Sequence, residues 1–94
     1  MFILTQKSRK LIVYHREMFL SLEKYTKTKY SIICHDPKMG CVHRIAINIP
    51  LYVARYLMTR ILCCLNNIAI DFIDIDEELK GVLWKKQNQS YHYK

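Results

Sequence analysis

The sequence predicts an α+β fold: an antiparallel meander of about five strands with one long amphipathic helix packed on a face. Three observations predict it. Apolar residues alternate with period two through the first half of the chain. An Asp36-Pro37-Lys38-Met39-Gly40 turn separates two apolar runs. At Pro50 the hydrophobic period changes from that of a strand to that of a helix.

Each element follows from its residues. Phe2 to Gln6 is a short apolar strand, and Lys7-Ser8-Arg9-Lys10 is a polar break. Leu11 to His15 is rich in branched and aromatic side chains, which suit a pleated surface. From Glu17 to Glu23, Met18, Leu20 and Leu22 share one face and Phe19, Ser21 and Glu23 the other. Lys24 to Lys29 is a second polar break, with lysines that discourage edge pairing. Tyr30 to Cys34 and Cys41 to Ile49 flank the Pro-Gly turn as a hairpin. Burying like with like pairs Cys34 with Cys41 and puts Ile45, Ile47 and Ile49 on one face.

Pro50 suits the first turn of a helix, where its missing N–H costs nothing. A helix over 50–66 gathers Leu51, Ala54, Leu57, Met58, Ile61, Leu62 and Leu65 on one face. Asn66 and Asn67 stop it with a left-handed residue. Residues 68–75 read as a last strand, with the cluster Asp71, Asp74 and Asp76 as solvated charge. Asp76 is expected to cap a short helical turn, and Val82, Leu83 and Trp84 to dock on the core. The expected organisation is one domain over 1–84 and a flexible polar tail over 85–94.

The chain has 94 residues with a net charge of +7. That length leaves no room for a multidomain enzyme. The opening apolar run is too short for a secretory signal, and Arg55 and Arg60 interrupt the only long apolar stretch. A cytoplasmic protein without a membrane span is expected. Residues 1–60 carry eleven basic and three acidic side chains, so the expected partner is acidic. A nucleic-acid backbone, an acidic protein and a nucleoprotein complex all meet that description.

Two groups of residues could carry partner binding. Tyr52, Arg55, Tyr56, Thr59 and Arg60 fall together on the polar arc of the helix. Arginine forks onto phosphates and carboxylates, and tyrosine adds a flat surface with a hydroxyl tip. The same arc would also serve as an ordinary solvated face or as the seam of a homodimer. Lys7, Arg9, Lys10, Lys24, Lys27 and Lys29 would form one basic rim if both polar breaks lay at the same end of the sheet.

Cys34, His35, Cys41 and His43 flank the hairpin turn and are the candidate metal ligands or thiol–imidazole pair. Their spacing matches no established knuckle, and buried free cysteines beside a hairpin are the expected reading, with no metal. No phosphate-cradling glycine loop and no paired carboxylates among basic residues are present. No cofactor and no catalytic residue are therefore expected.

The opening Met1-Phe2-Ile3-Leu4-Thr5-Gln6, the lysine-rich turns and the strand leading into an amphipathic helix resemble small uncharacterised proteins of phages and low-GC Gram-positive bacteria. The resemblance covers residues 1–66 and contains no signature motif. It implies a mobile-element origin. The function expected on that basis is a non-enzymatic binding protein that engages nucleic acid or a host nucleoprotein complex, such as an inhibitor of a CRISPR-type defence system.

Overall fold

A computed structural model describes residues 1–66 and 71–82. Within them the chain forms β1 (Phe2–Leu4), β2 (Leu11–Val13), β3 (Phe19–Lys24), β4 (Lys29–Asp36), β5 (Cys41–Pro50), α1 (Leu51–Leu65) and β6 (Phe72–Asp74). A second helix, α2, follows over 75–82. The expected docking of Leu83 and Trp84 and the expected tail over 85–94 lie outside the described residues, as do Asn67 and the first part of the expected last strand.

The fold is α+β, but its strands do not form one meander. They form two three-stranded sheets, ordered β2-β1-β6 and β3-β4-β5. The meander breaks between β2 and β3, which do not pair, and β1 takes β6 as a parallel neighbour on its other side (Phe2 with Phe72, Ile3 with Ile73). Ile12, Ile3 and Ile73 then form one buried row across the first sheet. Val13, Phe2 and Phe72 form the adjacent row and stay exposed.

Gln6 joins the two sheets. Its N–H donates to the Ile45 carbonyl (2.9 Å), and its side-chain Oε1 accepts from the Ile47 N–H (2.8 Å). The open edge of β5 is thereby covered at Ile45 and Ile47. The β1–β2 turn is tied by Thr5, which is buried. Its N–H donates to the Lys10 carbonyl, and its Oγ1 accepts from the Lys10 N–H, both at 2.9 Å.

Within the second sheet the alternation of β3 holds: Leu20 and Leu22 face the core, opposite Cys34 and Ile32. The β4–β5 register is two residues tighter than a Cys34–Cys41 pairing. Asp36 stands opposite Cys41, and Cys34 opposite His43. A bulge then sets in, with Ile33 paired to Arg44 but Ile32 to Ala46. A bulge puts two residues against one and breaks the alternation. Hence Ile45 and Ala46 are both buried, and Ile47 leaves the core face it was expected to share. Asn48, at φ 56°, brings Ile49 back inside.

Helix α1 has 15 residues, with Pro50 in extended conformation ahead of its first turn rather than within it. Asn66 ends the helix in a right-handed conformation (φ −88°), not a left-handed one. Its buried stripe is Val53, Ala54, Leu57, Ile61 and Cys64. At 3.6 residues per turn this stripe is rotated by about 70° from the expected one. Leu62, expected inside, is 47% exposed. The buried stripe of α1 packs on β4 and β5, and Ile3, Ile32, Ile45, Leu57, Ile61 and Ile75 are among the core side chains fully closed to solvent. Each such side chain stabilises the fold by about 1.5–3 kcal/mol.

Helix α2 is capped by Asp74, not by Asp76. The Asp74 Oδ1 accepts from the N–H of Asp76 (3.1 Å) and of Glu77 (3.5 Å). Those are the second and third positions of the helix, the ones an N-cap side chain satisfies.

Candidate functional site

The polar arc of α1 is built as expected, but α2 claims part of it. The Arg60 Nε donates to Glu78 Oε1 at 3.2 Å, and the Tyr56 hydroxyl donates to Glu78 Oε2 at 3.0 Å. Arg60 and Tyr56 thus hold α2 against α1. The Glu78 hydrogen bond raises the Arg60 pKa, and burial, followed by the same carboxylate, raises that of Tyr56. Tyr52, Arg55 and Thr59 remain exposed on the arc, and Arg55 has no carboxylate partner among the described residues.

The expected single basic rim does not form. Arg9 turns away from it and binds Asp74 (2.7 and 2.9 Å) and Asp76 (2.9 Å). Asp74 and Asp76 are therefore ion-paired rather than simply solvated. Lys10 reaches His43, with Nζ 3.3 Å from Nδ1. Lys24, Lys27 and Lys29 belong to the turn of the other sheet, where Lys29 stands opposite Pro50. His43 and Pro50 are separated by seven residues of β5, roughly 23 Å of extended strand. Lys7 is exposed at the β1–β2 turn.

That separation leaves a second, smaller basic feature. Lys24 and Arg44 line a shallow groove of about 180 Å³ with Glu23, Tyr25, Ser31, Ile33 and Ile47. Sequence reasoning passed over Arg44 and Tyr25. Arg44 lies within the strand expected over Cys41 to Ile49, but its neighbours depended on the bulge.

Among the described residues, twelve arginines and lysines face eight carboxylates. The carboxylates of residues 74–78 pair with Arg9, Arg60 and Lys80. Lys7, Lys10, Arg16, Lys24, Lys27, Lys29, Lys38, Arg44 and Arg55 have no ion-pair partner there. Glu17, Glu23, Asp36 and Asp71 are unpaired too, so nine unpaired cations, most of them exposed, outnumber four unpaired carboxylates.

The four hairpin candidates separate. His35 lies on the outer face of its sheet, stacked on Phe19 with ring centroids 4.5 Å apart, and it shares a 2.7 Å hydrogen bond with Ser21. Cys34 is fully buried, and burial, with the neighbouring Asp36 and Cys41, pushes its thiol up to about 11. Cys41 and His43 stay together, with Sγ and Nε2 3.6 Å apart, and are joined by Asp36 rather than by Cys34 or His35. Asp36 was expected only as the first residue of the turn; the tighter register makes it part of the cluster.

No helix among the described residues is long and apolar enough to cross a membrane. Comparison with family models, curated proteins and solved structures finds no match to this chain.

Proposed function

We propose that this protein is a non-catalytic binding protein of the cytoplasm that engages an acidic partner, either a nucleic-acid backbone or a nucleoprotein complex. The observation that supports this reading is the one-sided charge pairing: nine described cations have no carboxylate, and most are exposed. Arg55, flanked by Tyr52 and Thr59, would anchor the partner through its fork of donors. Lys24, Lys27, Lys29 and Arg44 would steer it electrostatically. In the specific form that the phage-like pattern of residues 1–66 suggests, the partner is a host nucleoprotein such as a CRISPR-type effector, and the protein occludes it.

A salt series of nucleic-acid titrations tests the reading. Backbone binding weakens linearly on a log–log scale as salt rises, with a slope set by the number of phosphates neutralised. Arg55→Glu and Lys27→Glu should each reduce that slope. Absence of binding to both a nucleic-acid duplex and an acidic polypeptide at low salt would sink it.

A second reading, self-association, is favoured by one observation. The exposed row Val13, Phe2 and Phe72, with Leu11 beside it, is an apolar sheet face without a covering element among the described residues. Sedimentation at rising concentration separates the two: Phe2→Ser should abolish a dimer formed this way and leave nucleic-acid binding unchanged.

A further inference from the structure

The closing pair of the β4–β5 hairpin assembles three different metal-ligand chemistries. Asp36 stands opposite Cys41, and His43 follows two residues along the same face of β5. The ligand atoms of the three side chains all lie within 4.8 Å of one another. The Cys41 Sγ and His43 Nε2 are 3.6 Å apart. With Zn–S near 2.3 Å and Zn–N near 2.0–2.1 Å, two ligands on a tetrahedral zinc ion stand about 3.6 Å apart. The pair is thus already at ligand spacing.

Asp36 is held in place for such a role. It is buried, and its Oδ1 accepts the Met39 N–H at 3.2 Å across the turn. Its other carboxylate oxygen accepts no hydrogen bond from the described residues. Cys41 is exposed and His43 half-buried, so the pair is open to solvent.

We propose that Asp36, Cys41 and His43 bind one divalent transition-metal ion, with water or a small donor as the fourth ligand. A thiolate and an imidazole with a single carboxylate select zinc over magnesium or calcium, which take oxygen ligands. The site is separate from the proposed acidic-partner surface, since it uses none of Arg55, Lys24, Lys27, Lys29 and Arg44.

Lys10 is its internal competitor. An ammonium only donates, so the 3.3 Å contact makes His43 Nδ1 the acceptor and leaves the imidazole proton on Nε2, aimed at Cys41. Metal binding needs the Nε2 lone pair. The Lys10 contact therefore breaks, the imidazole takes its proton on Nδ1 instead, and the Cys41 thiol gives its proton to solvent. One proton is released per ion bound.

Cobalt(II) titration of the reduced, untagged, full-length chain tests the proposal, with zinc used to displace the cobalt. One ion per chain should bind, with intense visible bands of tetrahedral cobalt and a thiolate-to-metal charge-transfer band. Cys41→Ser should remove the charge-transfer band, and His43→Ala should weaken binding at least about tenfold. Cys63→Ser should change neither, and Lys10→Met should tighten binding severalfold. Circular dichroism checks that each variant folds. A readout without variants is alkylation followed by mass spectrometry: zinc should protect Cys41 and leave Cys63 reactive. No saturable cobalt spectrum, a charge-transfer band that survives Cys41→Ser, or equal alkylation of Cys41 with and without zinc would overturn the site.

Discussion

Arg9 and Asp74, 65 residues apart, meet through two parallel hydrogen bonds, one from each terminal guanidinium nitrogen to each carboxylate oxygen, at 2.7 and 2.9 Å. The two-pronged geometry makes this the most directional ion pair in the structure. Asp74 also caps α2, so one carboxylate fastens the β1–β2 turn, the end of β6 and the start of the helix.

Acid titration probes that joint. The Arg9 hydrogen bonds, then the backbone N–H groups of Glu77 and Asp76, hold the Asp74 carboxyl below its ordinary value. A depressed carboxyl stabilises the fold fully above its unfolded value of about 3.9, and the contribution is lost as pH falls through the lower folded value. Arg9→Met should therefore shift the midpoint of acid unfolding to higher pH, read by circular dichroism. At neutral pH the same variant should melt a few degrees lower, by a margin that high salt shrinks.

The cap can be separated from the ion pair. Asp74→Ser keeps a capping oxygen and loses the charge; Asp74→Ala loses both. The alanine variant should be less stable than the serine variant by about 0.5–2 kcal/mol in urea unfolding.

The rotation of α1 predicts opposite outcomes for two leucines that the sequence places on one face. Leu57→Ala should cost about 2–5 kcal/mol, because Leu57 is completely buried. Leu62→Ala should cost no more than about 0.5 kcal/mol. Equal losses would mean that the stripe is centred where the sequence pattern puts it.

Two of the four thiols should react quickly in the native protein. Cys41 and Cys63 are exposed, while Cys34 and Cys64 are buried. Cys34 is further protected because burial raises its thiol to about 11, so little thiolate exists at neutral pH. Mass spectrometry after brief alkylation should find two modified cysteines, and all four after unfolding.

Arg55 and Arg60 should also part company. Arg60→Glu sets two carboxylates against each other at Glu78 and should lower the melting temperature. Arg55→Glu should leave it unchanged and act only on partner binding.

Much of the architecture was legible because it rests on local signals. The period change at Pro50, the Pro-Gly turn and the alternation of β3 each sit within a few residues. What the sequence hid was long-range or irregular. Nothing near residues 72–74 says that they pair with β1, and nothing in the polar residues around Arg16 says that β2 and β3 part, so the parallel pairing was missed and a single sheet was drawn. The bulge at Ile45 leaves the composition of β5 unchanged while reversing the side that Ile47 faces. The candidate site suffered from the same cause: a two-residue difference in hairpin register decides whether Cys41 meets Cys34 or Asp36. On the helix arc, the residues were readable, but the claim of Glu78 on Arg60 and Tyr56 depends on where α2 lands.

The parallel pairing of Phe2 with Phe72 spans 70 residues of chain and has a consequence for synthesis. As the polypeptide leaves the ribosome, the hairpins of the second sheet and α1 can close through contacts near in sequence, at small entropic cost. The β1–β2 hairpin emerges first but waits for its third strand until nearly all described residues have been made. During that interval its edge is bare, and Arg9 carries an uncompensated charge. The docking of residues 72–82 is thus the latch of the fold, and a nascent chain halted before residue 72 would expose a sticky edge to chaperones or to other chains.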